Sequence, residues 1–211
     1  MAETMDFEAA SAAIDMLGAL FGNDPKRDDA AAVVLGSLAD MDVEALAADW
    51  PFVDADACAP LLRCLQEGSL GDPDALAREY RRLFVGPNAL KAPPYGSVYT
   101  DPDQVLFGAS TLELRSWLDE VGIGVDNDEV APEDHIATML SLAAWIMRVK
   151  PAVLKEYLEK HLLTWAPHYL DELEEAAGDG FYGSLAALAA LTLEGAREQL
   201  DLQIEVPRFY R

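Results

Sequence analysis

Apolar residues recur three and four positions apart along almost the whole chain, and alanine and leucine far outnumber β-branched residues. Such spacing places apolar side chains on one face of an α-helix, and no convincing strand pattern competes with it. No internal repeat and no low-complexity linker divides the 211 residues. The sequence therefore predicts an all-α fold, a single helical bundle over residues 1–211 with about nine or ten helices.

Residues that favour helix ends refine this pattern. Asp72 and Pro73 predict a helix start, because an aspartate caps a helix well and proline suits the first helical position. Ser110 with Glu113 has the spacing of a capping box, and Pro132 is predicted to begin the most apolar helix. The other predicted helices cover 5–21, 28–39, 42–50, 56–66, two stretches between 151 and 177, and 181–200, with an acidic loop at 126–129.

The charge of the chain restricts its partners. Fifteen basic residues stand against 38 acidic ones, a formal net charge of −23. A polyanion would be repelled over the whole approach, so nucleic acid is not an expected partner. A basic peptide ligand is favoured, although solubility or adaptation to a salty cytoplasm accounts for the same charge.

Common catalytic and metal-binding patterns are not found. The two cysteines, Cys58 and Cys64, have no C-x-x-C spacing, and the three histidines include no pair three or four residues apart. The G-x-G-x-x-G spacing of residues 178–183 follows an acidic helix instead of a strand, so dinucleotide binding is not expected. The sequence predicts a protein that is not an enzyme and has no metal or other cofactor.

Targeting signals are also missing from the pattern. Residues 1–6 contain no cationic segment, and the longest apolar stretch, 136–147, is too short to span a bilayer. We therefore expect a cytoplasmic protein without stable membrane insertion.

Two segments concentrate the candidate binding residues. The helix predicted after Asp72 places Tyr80, Leu83 and Phe84 on one face, and a stiff loop with Pro93 and Pro94 follows the Gly86-Pro87 break. Aromatic residues and prolines in this order suggest the preorganised wall of a binding groove. Ordinary core packing is the alternative for the same stripe.

The second segment opens the apolar helix. Asp134 and His135 stand where the helix dipole favours a carboxylate and disfavours a protonated imidazole, so we predict a neutral His135. Asp134, together with Glu133, is a candidate acceptor for guanidinium groups. The alternative is that Asp134 caps the helix and His135 is a half-buried structural residue.

Taken in order, these motifs resemble one family. Tyr80-x-x-Leu83-Phe84-x-Gly86-Pro87, then Pro93-Pro94-Tyr95-Gly96-Ser97-Val98-Tyr99, then Val105-Leu106-Phe107-Gly108-x-Ser110-Thr111-x-x-Leu114-Arg115, then Glu133-Asp134-His135, are similar to the TorD/DmsD family of redox-enzyme maturation chaperones. The DmsD-like branch is the most similar. The resemblance covers roughly residues 80–145 and extends weakly toward both ends.

The resemblance implies a TorD-like, all-helical chaperone that binds the twin-arginine signal peptide of a molybdopterin oxidoreductase of the dimethyl sulfoxide or trimethylamine N-oxide reductase type. Such a chaperone holds the immature catalytic subunit until its cofactor is inserted, before export. Cofactor-insertion and Tat translocase components are further partners that the family allows. The implied peptide-binding residues are Tyr80, Leu83, Phe84, Pro94, Tyr95, Tyr99, Asp134 and His135, to which the charge argument adds Glu133.

The sequence differs from the family pattern at several positions, and two other functions are alternatives. Tyr80, Tyr95 and Tyr99 stand where DmsD-like members often have tryptophan, and Asn88 replaces another aromatic residue. A generic acidic helical adaptor is one alternative function. A nucleotide-binding protein, with Asp134 and His135 as base and orienting group, is another, but no P-loop supports it.

Overall fold

A computed structural model describes residues 7–124 and 132–211. In these two ranges the chain forms eleven α-helices and no β-strand, which confirms the predicted all-α fold. The predicted acidic loop at 126–129 and the predicted start of the first helix at residue 5 lie outside the described residues. The helices are α1 Phe7–Gly22, α2 Asp29–Ala39, α3 Val43–Asp49, α4 Ala55–Ser69, α5 Pro73–Tyr80, α6 Gly96–Thr100, α7 Ala109–Glu120, α8 Ile136–Val149, α9 Leu154–Tyr157, α10 Ala166–Ala177 and α11 Phe181–Gln199.

The centre of the bundle is the pairing of α1 with α8, which contact each other more extensively than any other two elements. Ile14, Leu17 and Phe21 of α1 are buried, as are Ile136 and Leu140 of α8. Gly18 permits the close approach, because a Cβ atom there would lie 3.0 Å from the Ser141 hydroxyl and 3.2 Å from the Ala137 carbonyl oxygen. Burial of these apolar faces is the main driving force for the pairing.

A second group of helices packs around α4 and α11. Helix α11 contacts α10 and α4, and α2 and α3 also pack against α4. The core is continuous between the two groups, since buried residues of α1, α4, α8, α10 and α11 belong to one cluster. None of the described helices is long and apolar enough to cross a membrane.

Several predicted helices are confirmed close to their expected bounds, including α2, α3, α10 and α11. The Asp72 side chain accepts a hydrogen bond from the backbone N–H of Asp74, so the predicted cap of α5 is also correct. Helix α5 continues directly into a π-helical turn, Arg81–Val85, and the chain leaves the helical path at Gly86, as predicted. The five-residue helix α6 was not predicted, because the proline-rich segment around it indicates a loop.

Two predicted helix starts are wrong, and in each case a residue from an earlier segment accepts the first N–H group of the observed helix. The Ser110–Glu113 capping box does not form: the Asp101 carboxylate accepts the N–H of Ala109, 3.0 Å away, and Ser110 is bonded to Thr100. Helix α8 begins at Ile136 and not at Pro132. Its first N–H group donates to the Pro94 carbonyl, so the preceding residues are held by another segment and cannot continue the helix.

Glycine at 195 is predicted to be essential for the contact between α11 and the 50–54 connection. A Cβ atom there would overlap with the carbonyl oxygen of Phe52, whereas one on Gly36, in the middle of α2, would meet no neighbour. We expect Gly195→Ala to lower the free energy of unfolding by about 1–3 kcal/mol. The control Gly36→Ala should raise it by about 0.5–1 kcal/mol, because alanine favours the helix. Urea unfolding of both variants checks this, and equal stabilities would contradict the close approach.

Candidate functional site

The two predicted segments meet at one place, which we call the junction: residues 94–97 against residues 134–136. The N–H of Ile136 donates to the Pro94 carbonyl at 2.9 Å, and the N–H of Gly96 donates to the Asp134 carbonyl at 3.1 Å. Tyr95 and His135 form an isolated antiparallel bridge between these bonds. The structure thus brings together four residues predicted for the site, although about 40 residues of sequence separate the two segments.

Asp134 fixes the start of α6 to the start of α8. Asp134 is only 3% exposed, and one of its carboxylate oxygens accepts the Ser97 N–H at 2.6 Å. The other oxygen, Oδ1, is buried and has no hydrogen-bond partner among the residues that the structure describes. A buried acceptor without a donor is unfavourable, so Asp134 combines a structural bond with a capacity for one more donor.

His135 caps α8 in its neutral form. Its Nδ1 accepts the N–H of Ala137 at 3.2 Å, which a protonated ring nitrogen would be unable to do. Burial away from water lowers the His135 pKa from 6.5 to about 4. The Tyr95 ring stands edge-on to the imidazole, with 5.0 Å between ring centroids. Both the acceptor role of Nδ1 and the lowered pKa support the predicted neutral imidazole, with desolvation as the main cause.

Glu133, the other predicted acceptor, is already engaged. Its carboxylate accepts a hydrogen bond from Arg115 at 2.7 Å, and the Arg115 guanidinium lies over the Phe107 ring at 5.3 Å. Glu133 and Asp134 therefore both have partners within the chain. A ligand guanidinium at Glu133 would have to compete with Arg115.

The stripe of Tyr80, Leu83 and Phe84 faces the interior. All three residues are buried. Tyr80 and Phe84 pack against each other with ring centroids 5.0 Å apart, and Tyr182 stands against Phe84 at 5.3 Å. In this structure Tyr80 and Phe84 join α5 to α11 as core packing, and of the three residues Leu83 lines a surface cavity, together with Arg81, Arg82 and Pro87.

Tyr99 is also fully buried. Its ring stacks on Trp165 at 6.0 Å and meets the edge of His168 at 5.6 Å. Burial raises the pKa of its hydroxyl well above the ordinary value, with a further contribution from Glu172. Its backbone carbonyl accepts the N–H of Tyr210 at 2.9 Å. Tyr99 therefore connects α6 to α10 and to the segment after α11.

An open apolar groove adjoins the junction, and sequence reasoning missed it. It has a volume of about 870 Å³ and runs between α1 and α8, with one side closed by α2 and residues 123–124. Along α8 it extends from Ala137, two residues after His135, to Trp145, which is 37% exposed. Its walls consist largely of small and apolar side chains, among them Ala12, Met16, Ala19, Val34, Leu142 and Trp145.

The groove has one charged edge. Asp15 of α1 and Arg148 of α8 form an ion pair there at 2.5 Å, and each side chain is partly exposed. The sequence features nearest the groove are small residues of α1, such as Ala12 and Ala19, and a large aromatic residue, Trp145, beside the buried face of α8. Neither signal reveals that two helices leave a gap between them.

An all-helical bundle with an open apolar groove between two helices offers a surface on which a helical segment can dock. Comparison with known proteins identifies the family of this chain. Residues 53–171 match the family model described as Nitrate reductase delta subunit. The Tat proofreading chaperone DmsD of Salmonella typhi is 39% identical over 197 residues, which are 93% of each chain.

Two further relatives agree. The probable Tat proofreading chaperone DmsD of Haemophilus influenzae is 45% identical over 138 residues, 64% of this chain and 67% of its own length. The chaperone protein TorD of Vibrio cholerae is 28% identical over 142 residues, 62% of this chain and 64% of its own. The chain belongs to the TorD/DmsD family, and these relatives are named as chaperones and not as enzymes, as predicted.

A solved structure has the same fold. The putative redox enzyme maturation protein from Archaeoglobus fulgidus superimposes with a TM-score of 0.52 at 18% identity, over 86% of this chain and 93% of its own. At this identity the similarity establishes the architecture alone.

The buried neutral imidazole predicts a specific pH dependence of stability. The folded-state pKa of His135 is below its ordinary value, so the unfolded chain takes up this proton first as the pH falls. The stability that neutral His135 provides is complete above about pH 6.5 and is lost as the pH falls toward 4. We expect a loss of about 1–2 kcal/mol at pH 5 relative to pH 7, which His135→Asn, a good capping residue that does not titrate, should lack.

Urea unfolding at pH 7 and pH 5 measures this difference. Subtracting the variant from the wild type cancels the contribution of the carboxylates. Identical pH dependence in the two proteins would show that His135 is not held neutral by burial.

Proposed function

We propose that this protein binds the twin-arginine signal peptide of an immature molybdopterin oxidoreductase, of the dimethyl sulfoxide or trimethylamine N-oxide reductase type. It holds that subunit in the cytoplasm for cofactor insertion before export. The observation that carries the proposal is the apolar groove between α1 and α8, which begins within three residues of His135. The names of two relatives, both Tat proofreading chaperones, support a peptide of this kind.

The groove suits the apolar region that follows the arginines in such a peptide. The lining stretch of α8, Ala137 to Trp145, is about 12 Å long at a helical rise of about 1.5 Å per residue. That length accommodates two turns of a helical ligand with its apolar face inward. Apolar side chains such as Met16 and Trp145, which are partly exposed in the free protein, would be covered on binding.

Charge supports the same ligand. The net charge of −23 attracts a cationic peptide over the whole approach and raises its rate of association. At the junction, the unpartnered Oδ1 of Asp134 is an acceptor that an N–H donor of the ligand would satisfy. The buried position of Asp134 means that Tyr95 or His135, both partly exposed, must shift to admit that donor.

The residues expected at the site have different roles in this proposal. Tyr95, Glu133 and His135 are partly exposed and are the ones that a ligand reaches directly. The buried members act by positioning the loop and the helix starts around the groove. This second set consists of Tyr80, Leu83, Phe84, Pro94, Tyr99 and Asp134, and Asp134 in addition offers its Oδ1 to the ligand.

A generic acidic helical adaptor remains the second candidate. The same groove would accept the apolar face of any amphipathic helix. Dependence on the twin arginines separates the two functions, because an adaptor would bind equally well after their replacement.

Titration calorimetry with a synthetic leader peptide of a dimethyl sulfoxide reductase catalytic subunit tests the proposal. Ser141 is exposed on α8 and lines the groove, so Ser141→Phe fills part of it, and urea unfolding of the variant checks that the close contact of α1 and α8 at Gly18 is kept. We expect this variant to bind the leader about tenfold more weakly, a change of about 1.4 kcal/mol. The matched control is Ser116→Phe, an exposed serine of α7 outside the groove, which should bind like the wild type.

Two altered peptides complete the design. Replacement of both arginines by lysine, and removal of the apolar region, should each weaken binding to the wild type. Unchanged affinity for the lysine peptide would favour the adaptor. Equal affinities of Ser141→Phe and Ser116→Phe for the leader peptide would show that the peptide does not bind in the groove.

A further inference from the structure

The residues after α11 form a strap that contacts the chain just before and just after residues 94–97, at Leu90, Lys91 and Tyr99. We use the name strap for residues 203–211, which contain no helix. The N–H of Tyr210 donates to the Tyr99 carbonyl at 2.9 Å, and Gln104 donates through its side chain to the Tyr210 carbonyl. The strap is therefore held at its end by the short segment around α6.

Arg211 fills a set of three acceptors. Its guanidinium donates to the backbone carbonyls of Leu90, at 3.1 Å, and Lys91, and it lies 3.4 Å from the Glu172 carboxylate. We call these three acceptors the arginine cradle. Two carbonyls and one carboxylate around a single planar group match the donor geometry of arginine, and lysine would not reproduce it.

An aromatic contact lies beside the cradle. The Phe209 ring stacks on His168 with 4.4 Å between centroids and 10° between planes. The same imidazole has its Nε2 3.1 Å from the Arg211 carbonyl oxygen. The chain thus recognises a short segment of its own that contains two arginines and two aromatic residues, Arg208-Phe209-Tyr210-Arg211.

The cradle belongs to elements already assigned to the peptide site. Leu90 and Lys91 lie in the loop that leads to Pro94 and Tyr95, and the strap bonds directly to Tyr99. We propose that the arginine cradle is a binding site for an arginine of the signal peptide, and that the strap occupies it as an internal competitor when no peptide is bound. This inference rests on the proposed function.

The strap is held mainly at its end, by Tyr210 and Arg211, and by packing of Ile204 and Phe209 against the core. The Arg211 and Glu172 side chains remain 31% and 28% exposed, and a partly exposed ion pair contributes little stability. Residues 204–208 form no backbone hydrogen bond with any part of the chain that the structure describes. A peptide that brings its own arginine would replace the contacts of Arg211 one for one.

Removal of the competitor should strengthen peptide binding. If the strap is docked about nine-tenths of the time, a variant without it binds the leader about tenfold more tightly. Titration calorimetry with the twin-arginine leader peptide should therefore show this gain for Arg211→Ala. Arg197→Ala, which removes an arginine paired with Glu194 on the exposed side of α11, is the matched control and should bind like the wild type.

Loss of an acceptor of the arginine cradle should have the opposite effect on leader binding. Glu172→Gln should weaken binding of the leader, whereas Glu175→Gln, an exposed residue on the same helix, should not. Hydrogen exchange of the Tyr210 amide, protected by its bond to Tyr99, should accelerate when the leader is added to the wild type.

A second probe makes the cradle testable without the leader. N-acetylarginine amide, a minimal capped peptide that needs only the place vacated by the Arg211 side chain, should bind Arg211→Ala, but not the wild type and not the double variant Arg211→Ala, Glu172→Gln. An Arg211→Ala protein that binds both the leader and the capped peptide no better than the wild type overturns the inference. The proposed function fails separately, if neither the wild type nor Arg211→Ala binds any leader.

Discussion

The junction between residues 94–97 and 134–136 is the contact on which the arrangement of the site depends. Two backbone hydrogen bonds and one bond to the Asp134 carboxylate connect segments that are far apart in sequence. They fix where α8 begins, and α8 in turn packs along α1 and supplies one wall of the groove. These bonds stabilise the fold because they are buried, where a donor or acceptor without a partner would lower the free energy of unfolding.

A rigid support next to an open groove suits a chaperone of this family. The backbone bonds of the junction and the aromatic cluster around Phe84 are formed within the chain itself, so on binding only partly exposed side chains such as Tyr95 or His135 would have to move. The groove itself is apolar and accessible, and the surrounding charge is acidic. Affinity for a peptide with both a cationic and an apolar part would arise from this separation of roles.

The sequence predicted the helical class and most helix positions, because apolar periodicity is a local property. It failed at the starts of α7 and α8, where Asp101 and Pro94 supply hydrogen bonds from other parts of the chain. Periodicity placed Tyr80 and Phe84 correctly on one face, but it does not distinguish a face in the core from the wall of a groove. The groove and the strap arise from tertiary packing, so no local pattern indicates them.

Photo-crosslinking can show where the apolar region of the leader peptide binds. A leader peptide with a photoreactive leucine in its apolar region would be irradiated in complex with the full chain, and the adducts mapped by mass spectrometry. We expect adducts on the groove residues of α1 and α8, near Met16 and Trp145. Adducts confined to the cleft between α7 and residues 159–164, with none in the groove, would contradict this expectation.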